Sequence, residues 1–143
     1  MSTVYHDFIP LYPGGNTAVT PSTNTATDIA VIAVPYRCQV RRVGVVPTAT
    51  SAGTSDILFD QRVLAGSDVG RVTFATVSKA GNQQGKFIYE DPASSVILYP
   101  GDEIAVKSSA VGNVVAIGAL HPVVLVERVP EVPANESDMV ASA

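Results

Sequence analysis

Between residues 95 and 126 the sequence alternates strand-forming runs with turn residues. Ser95-Val-Ile-Leu-Tyr99 leads into Pro100-Gly101-Asp102, then Glu103-Ile-Ala-Val-Lys107, then a Ser/Gly/Asn break across Ser108 to Asn113, then the apolar run Val114 to Val126. Proline presets the first turn position and glycine accepts positive φ at the next, so the chain reverses at Pro100-Gly101. Short β-branched runs bounded in this way are the pattern of an antiparallel sandwich or barrel.

The same grammar fills residues 27–94. Thr27 to Val34 is apolar on both faces, which predicts burial on two sides. Cys38 to Val46 changes phase across Arg41-Arg42, as one extra residue in a bulge would make it do. Ser55 to Val63 turns Ile57 and Phe59 inward and carries Asp56, Asp60 and Arg62 near its ends. Gly66 to Gly70 reads as a loop, and Arg71 to Val77 sets Val72 and Phe74 against Arg71 and Thr73. Lys79 to Gly85 is turn-rich, and Lys86 to Tyr89 is a short aromatic strand. Pro122 interrupts the last apolar run, so two strands or one bent strand fit it. About eight strands and no amphipathic helix of useful length result. The fold class is all-β, an antiparallel β-sandwich over residues 27–128.

The two ends read differently. Residues 1–26 are an extended N-terminal arm: Tyr5, Phe8, Ile9, Leu11 and Tyr12 are broken by Pro10 and Pro13 and followed by Gly14-Gly15. Burying five such side chains yields about 7–15 kcal/mol. Ordering a dozen residues costs about 1–2 kcal/mol each for the backbone alone. The arm is therefore ordered only when packed on the body, a sister subunit or a partner, and these five residues are the expected partner-binding set. Deleting residues 1–15 is expected to leave the body folded. Residues 129–143 read as an acidic flexible tail containing Pro130, Glu131, Pro133, Glu136 and Asp138.

Composition narrows the partners. Charged residues make up 15% of the chain and apolar residues 46%; a chain so poor in charge is expected to cover part of its apolar surface with copies of itself or with a partner. Net charge is −4, and three of the acids lie beyond residue 130, leaving nine basic against ten acidic side chains in the body. A neutral body disfavours nucleic acid. No run of about 18 apolar residues predicts a membrane span, and the start shows neither a basic nor an apolar leader segment.

Candidate chemistry is sparse. Cys38 is single, and a buried small hydrophobe is its expected role. His6 and His121 stand far apart in sequence with no metal-ligand spacing around either. Asp56 and Asp60 share a strand face about 13 Å apart, too far for one two-carboxylate site. Glu90-Asp91 and Asp102-Glu103 are turn acids, expected to cap backbone N–H groups. Neither a nucleophile elbow nor a phosphate loop is present. No catalytic residue, cofactor or metal is expected, and the chain reads as a non-enzyme.

Three stretches in order carry a resemblance: Val34-Pro-Tyr-Arg-Cys-Gln-Val40, Gly53-Thr-Ser-Asp-Ile-Leu-Phe59, and Leu98-Tyr-Pro-Gly-Asp-Glu-Ile-Ala-Val106 with its long closing strand, all behind an N-terminal arm. The chain resembles the head decoration, or cement, proteins of tailed bacteriophages, of the jelly-roll type, over most of residues 27–128. The resemblance implies a jelly-roll sandwich and a structural virion protein on the outer surface of the capsid. It further implies binding to the major capsid protein as a homo-oligomer, with a dimer favoured, that bridges neighbouring capsomers. Cupins and dUTPase-like hydrolases share the Pro-Gly-Asp turn, but the histidine cluster of the first and the aspartate-tyrosine motif of the second are absent. An alternative is the receptor- or carbohydrate-binding module of a phage fibre, which an exposed cluster of Tyr36, Tyr89 and Tyr99 would favour. An enzyme on this scaffold would need His121 beside a carboxylate in a deep pocket.

Overall fold

The computed structural model describes residues 8–21, 27–49, 55–80, 83–108 and 118–130. Among them are nine strands and no helix: β1 (Ile9–Leu11), β2 (Asp28–Ala33), β3 (Cys38–Pro47), β4 (Ser55–Arg62), β5 (Arg71–Ala80), β6 (Ile88–Glu90), β7 (Ile97–Leu98), β8 (Glu103–Ser108) and β9 (Leu120–Arg128). They form two antiparallel sheets, one in the order β1-β9-β3-β6 with β7 also on β3, the other in the order β2-β8-β4-β5. The molecule is a β-sandwich.

The pairing is nested. β1 pairs with β9, β2 with β8, β3 with β6 and β7, and β4 with β5. The chain is thus one long hairpin with its apex at the β4–β5 turn. β9 takes one edge of β3 along its whole length, so β6 and β7 must share the other edge. They are two halves of one strand, parted by residues 91–96.

The core lies between the sheets. Cys38, Val40, Val43, Val45, Val124 and Val126 of the first sheet face Ile57, Phe59, Val77, Ile104 and Val106 of the second. Cys38/Val40 and Val43/Val45 both point inward because the register against β9 shifts between Val40 and Arg42. The last apolar run forms a single strand from Leu120 on, and Pro122 lies within it opposite Val45. Proline is tolerated there because the flank away from β3 pairs only at Val19–Leu120 and at Val124–Val126, which leaves a gap at Pro122.

Two expectations are revised. β2 is an edge strand buried on one face only, with Ala30 inward and Val31 exposed, so its apolar run does not mark two-sided burial. Ile9–Leu11, within the expected arm, forms an edge strand of the sandwich, and Leu11 enters the core. A deletion through residue 15 would therefore remove both a strand and a core side chain. Pro10 fits because it lies in an edge strand. Tyr5 and the tail residues 131–143 lie outside the described residues.

Candidate functional site

The β4–β5 hairpin is buried at its base and open at its tip. Along its inward face Ile57, Phe59 and Val77 are fully enclosed. Gln61 is half-covered, donating from Nε2 to the Asp102 carboxylate at 3.1 Å and the Ile97 carbonyl at 3.4 Å. Toward the tip the large apolar side chains are no longer covered. Val63, Leu64, Val69 and Val72 are 53%, 55%, 67% and 61% exposed. The hairpin thus carries apolar side chains into solvent, with Val72 facing residues 93–99 across a groove.

The opposite side of the same hairpin is closed by charge. Asp60, only 1% exposed, accepts from Arg71 Nε at 2.6 Å and Thr73 Oγ1 at 2.5 Å, with Lys107 Nζ at 3.4 Å. Arg62, 8% exposed, reaches Asp28 at 3.2 Å and Glu103 at 3.0 Å. Arg71 extends to Asp28 as well, its Nη1 at 3.0 Å from Oδ2. Three cations and three carboxylates from all four strands of the sheet thus pair with one another, while the buried Arg62 Nε has no hydrogen-bond partner. The Arg71 hydrogen bond, with the nearby charges of Arg71, Arg62 and Lys107, holds the Asp28 carboxyl below its ordinary range. Asp28 and then Asp60 push the Arg71 guanidinium up in turn. A hollow of about 330 Å³ lies above this network, lined by Thr27, Asp28, Asp68, Arg71 and Lys107.

The tip is also built rigidly. Glu103 accepts from the Gly66 N–H at 2.9 Å, tying the tip to β8. Ser67 N–H donates to the Leu64 carbonyl at 3.0 Å and Val69 N–H to Ser67 Oγ at 3.1 Å. Gly66 takes φ of 72°, a left-handed conformation that glycine adopts without the Cβ clash. Beside the tip runs a groove of about 560 Å³ between β5 and residues 93–99, lined by Gln61, Val72, Phe74, Val96, Ile97 and Tyr99.

Two ends of the described chain lie toward this end of the sandwich. Ile9 is opposite Val126, which places residue 8 near the Arg128 end of β9. Val129 N–H donates to the Arg37 carbonyl at 3.0 Å, and Arg37 Nη1 to the Pro130 carbonyl at 2.9 Å, which fixes where the C-terminal segment departs. Of ten exposed large apolar side chains among the described residues, four are at the outer end of this hairpin, Val63, Leu64, Val69 and Val72, and Tyr99 lines the groove beside it, whereas Phe8 stands on the β1 edge, at the other side of the sandwich. That concentration marks the hairpin tip and its groove as the candidate site, an interaction surface.

The expected partner-binding residues divide. Phe8, Ile9 and Tyr12 are exposed along the β1 edge, and Leu11 is core. The three tyrosines do not form one cluster. Tyr36 lies under Arg128 at 5.0 Å and Tyr99 beside Arg37 at 5.6 Å, both at the site end. Tyr89 is on the sheet face opposite Gly44 under Arg42 at 3.9 Å, about 20 Å along β3 from Cys38. His121 stands opposite Val46, away from both hollows. Burial pushes the Cys38 thiol up to about 11, helped by the charge of Asp102, so it stays protonated and inert near neutral pH. Asp102 caps the Tyr99 N–H at 3.0 Å. Among the described residues no three His, Cys, Asp or Glu side chains are placed to hold a metal ion, and no helix is long and apolar enough to cross a membrane.

Sequence reasoning passed over Val63, Leu64, Val69 and Val72. Their signal was present: residues 63–70 contain three large apolar side chains and the single charge Asp68, an odd make-up for a solvent loop. No protein-family model matches the chain, and no curated protein matches it either.

Proposed function

We propose that the chain is a structural protein that works by adhering to other proteins: a jelly-roll cement, or decoration, protein on the outside of a tailed-phage head, bridging neighbouring major capsid proteins. The jelly-roll reading draws support from the nested pairing and from the two sheet orders, 1-9-3-6 and 2-8-4-5. The observation that carries the adhesive reading is the exposed apolar tip of the β4–β5 hairpin, with Tyr99 on the groove beside it. The charged groups beside it are already paired with one another, so they hold the fold and leave little free for proton transfer. A shell presents many equivalent positions, and modest contacts repeated over it give collective strength without one tight interface.

The test uses purified full-length protein and DNA-free heads of the phage that encodes it. Co-sedimentation should saturate at a stoichiometry set by shell symmetry. A variant lacking residues 1–7 retains β1 and Leu11 and should bind heads more weakly. Failure of the full chain to bind heads, together with saturable binding to immobilised glycans, would replace this reading with the fibre-module one.

A further inference from the structure

We propose that the outer edge of β5 is a strand-acceptor site, and that its occupant is an extended, uncharged segment of a partner protein, seated in the groove between β5 and residues 93–99. The argument begins from the backbone. Among the described residues β5 ends its sheet and pairs only with β4. Each strand residue carries one donor and one acceptor, and along an edge alternate residues point theirs away from the neighbouring strand. β5 is the longest of the edge strands, with ten residues against six in β2, three in β1 and in β6, and two in β7.

Edges are blunted by proline, by charge or by a cover. β1 holds Pro10, and β6 and β7 are cut short by a loop that contains Pro92. The β5 run Val72-Thr-Phe-Ala-Thr-Val-Ser78 contains neither proline nor charge. Arg71, the charge beside it, is engaged by Asp28 and Asp60 in the ionic layer. The loop that parts β6 from β7 forms the far wall of the groove, so β5 faces a gap there and not a strand.

The groove dictates the chemistry of what fills it. Val72, Phe74, Val96, Ile97 and Tyr99 give it apolar walls, and among the described residues none that line it is charged. A charged side chain entering it would lose water and gain no partner. The ionic hollow beside Asp28 and Lys107 has the opposite character. A helix satisfies its own backbone groups and has none left for an edge. An extended segment leaves its backbone groups open for β5 and turns alternate side chains to one face, so apolar residues at every second position meet the walls.

The proposal rests on the adhesive reading and deepens it by naming the partner's chemistry, and the two fail separately. Head binding by the full chain with no peptide bound would overturn the strand pairing alone. Peptide binding with no head binding would overturn the capsid reading alone.

The test selects displayed random peptides of about nine residues, long enough for one strand, on immobilised full-length protein. Enriched sequences should be uncharged and should alternate apolar with polar residues. The leading one, made as a free peptide, should slow amide hydrogen exchange across residues 72–77. Methylating alternate backbone nitrogens along one of its edges should abolish binding, and methylating those along the other should not, because only one edge faces β5. Val72→Lys and Ala93→Arg, on the two walls and both at exposed positions, should each weaken binding about tenfold or more with the melting temperature unchanged. Two variants cover the event that one misfolds. A selection that enriches no peptide, or enriches charged ones, overturns the proposal. So does a peptide indifferent to both methylation patterns or to both substitutions.

Discussion

Asp60 and Val63 are three residues apart at the end of one strand, and their environments are inverted. The carboxylate is buried and the valine is more than half exposed. Asp60 faces the outer side of the β2-β8-β4-β5 sheet, where side chains from four strands pair into a closed ionic layer. Val63 lies one residue past the end of β4, on the exposed apolar tip. A buried charge is tolerated only when paired, and a chain that exposes a rigid apolar tip leaves that surface for something to cover. The two faces of this hairpin therefore have different tasks. The ionic face fixes the hairpin's shape, and the apolar face presents it.

The inversion predicts where stability resides. Phe59 and Asp60 are neighbours pointing in opposite directions, and both should be costly to truncate. Phe59→Ala removes the largest enclosed side chain and should destabilise by about 3–5 kcal/mol. Asp60→Ala leaves Arg71 and Lys107 short of a partner and should cost about 3 kcal/mol, the lower end for a broken buried pair because Arg71 keeps Asp28. Urea denaturation of both variants checks this. An Asp60→Ala variant as stable as the parent would mean that the outer layer is ornamental.

Acid should loosen the ionic face before the apolar one. Asp28 has a folded pKa held below its ordinary value by Arg71, so on acidification the unfolded chain takes up the proton first. Its contribution is complete above the ordinary carboxylate pKa of about 3.9 and is lost as pH falls through the folded value. The melting temperature of the parent should drop below about pH 4, and Asp28→Asn should show a shallower drop. Equal slopes would remove Asp28 from the network's acid response.

The tip itself should respond more weakly. Gly66→Ala forces a Cβ into a left-handed backbone conformation and strains the turn that Glu103 anchors, at about 1–2 kcal/mol. Thermal melts of the variant against the parent check this.

What could be read from sequence follows from how local each signal is. Period-two runs placed Ile57 and Phe59 inward, and the phase change at Arg41-Arg42 marked the bulge, because alternation and its interruption are written in adjacent residues. The pairing of Asp28 with Arg62 and Arg71 was not legible, since it joins residues 34 and 43 positions apart through strand order. The exposure of Val63 and Val72 was legible only as the apolar make-up of residues 63–70, for a related reason. Alternation says which face a residue occupies but not whether the opposite sheet extends far enough to cover it. The interaction surface was sought in Tyr5, Phe8, Ile9, Leu11 and Tyr12, where prolines broke the strand pattern, and Leu11 shows that a proline-bound segment can still enter a core.

The smallest predicted effect is the sharpest test of the exposed tip. Phe59 and Val63 are close along the chain, yet their truncations should differ severalfold. Val63→Ala and Val72→Thr should each change unfolding free energy by no more than about 0.5 kcal/mol, the range of surface substitutions, as urea denaturation in dilute solution would show. Stability unmoved is the signature of an apolar surface that does not belong to the monomer's core. A loss from Val63→Ala approaching that of Phe59→Ala in dilute solution would show that the tip is covered within the monomer.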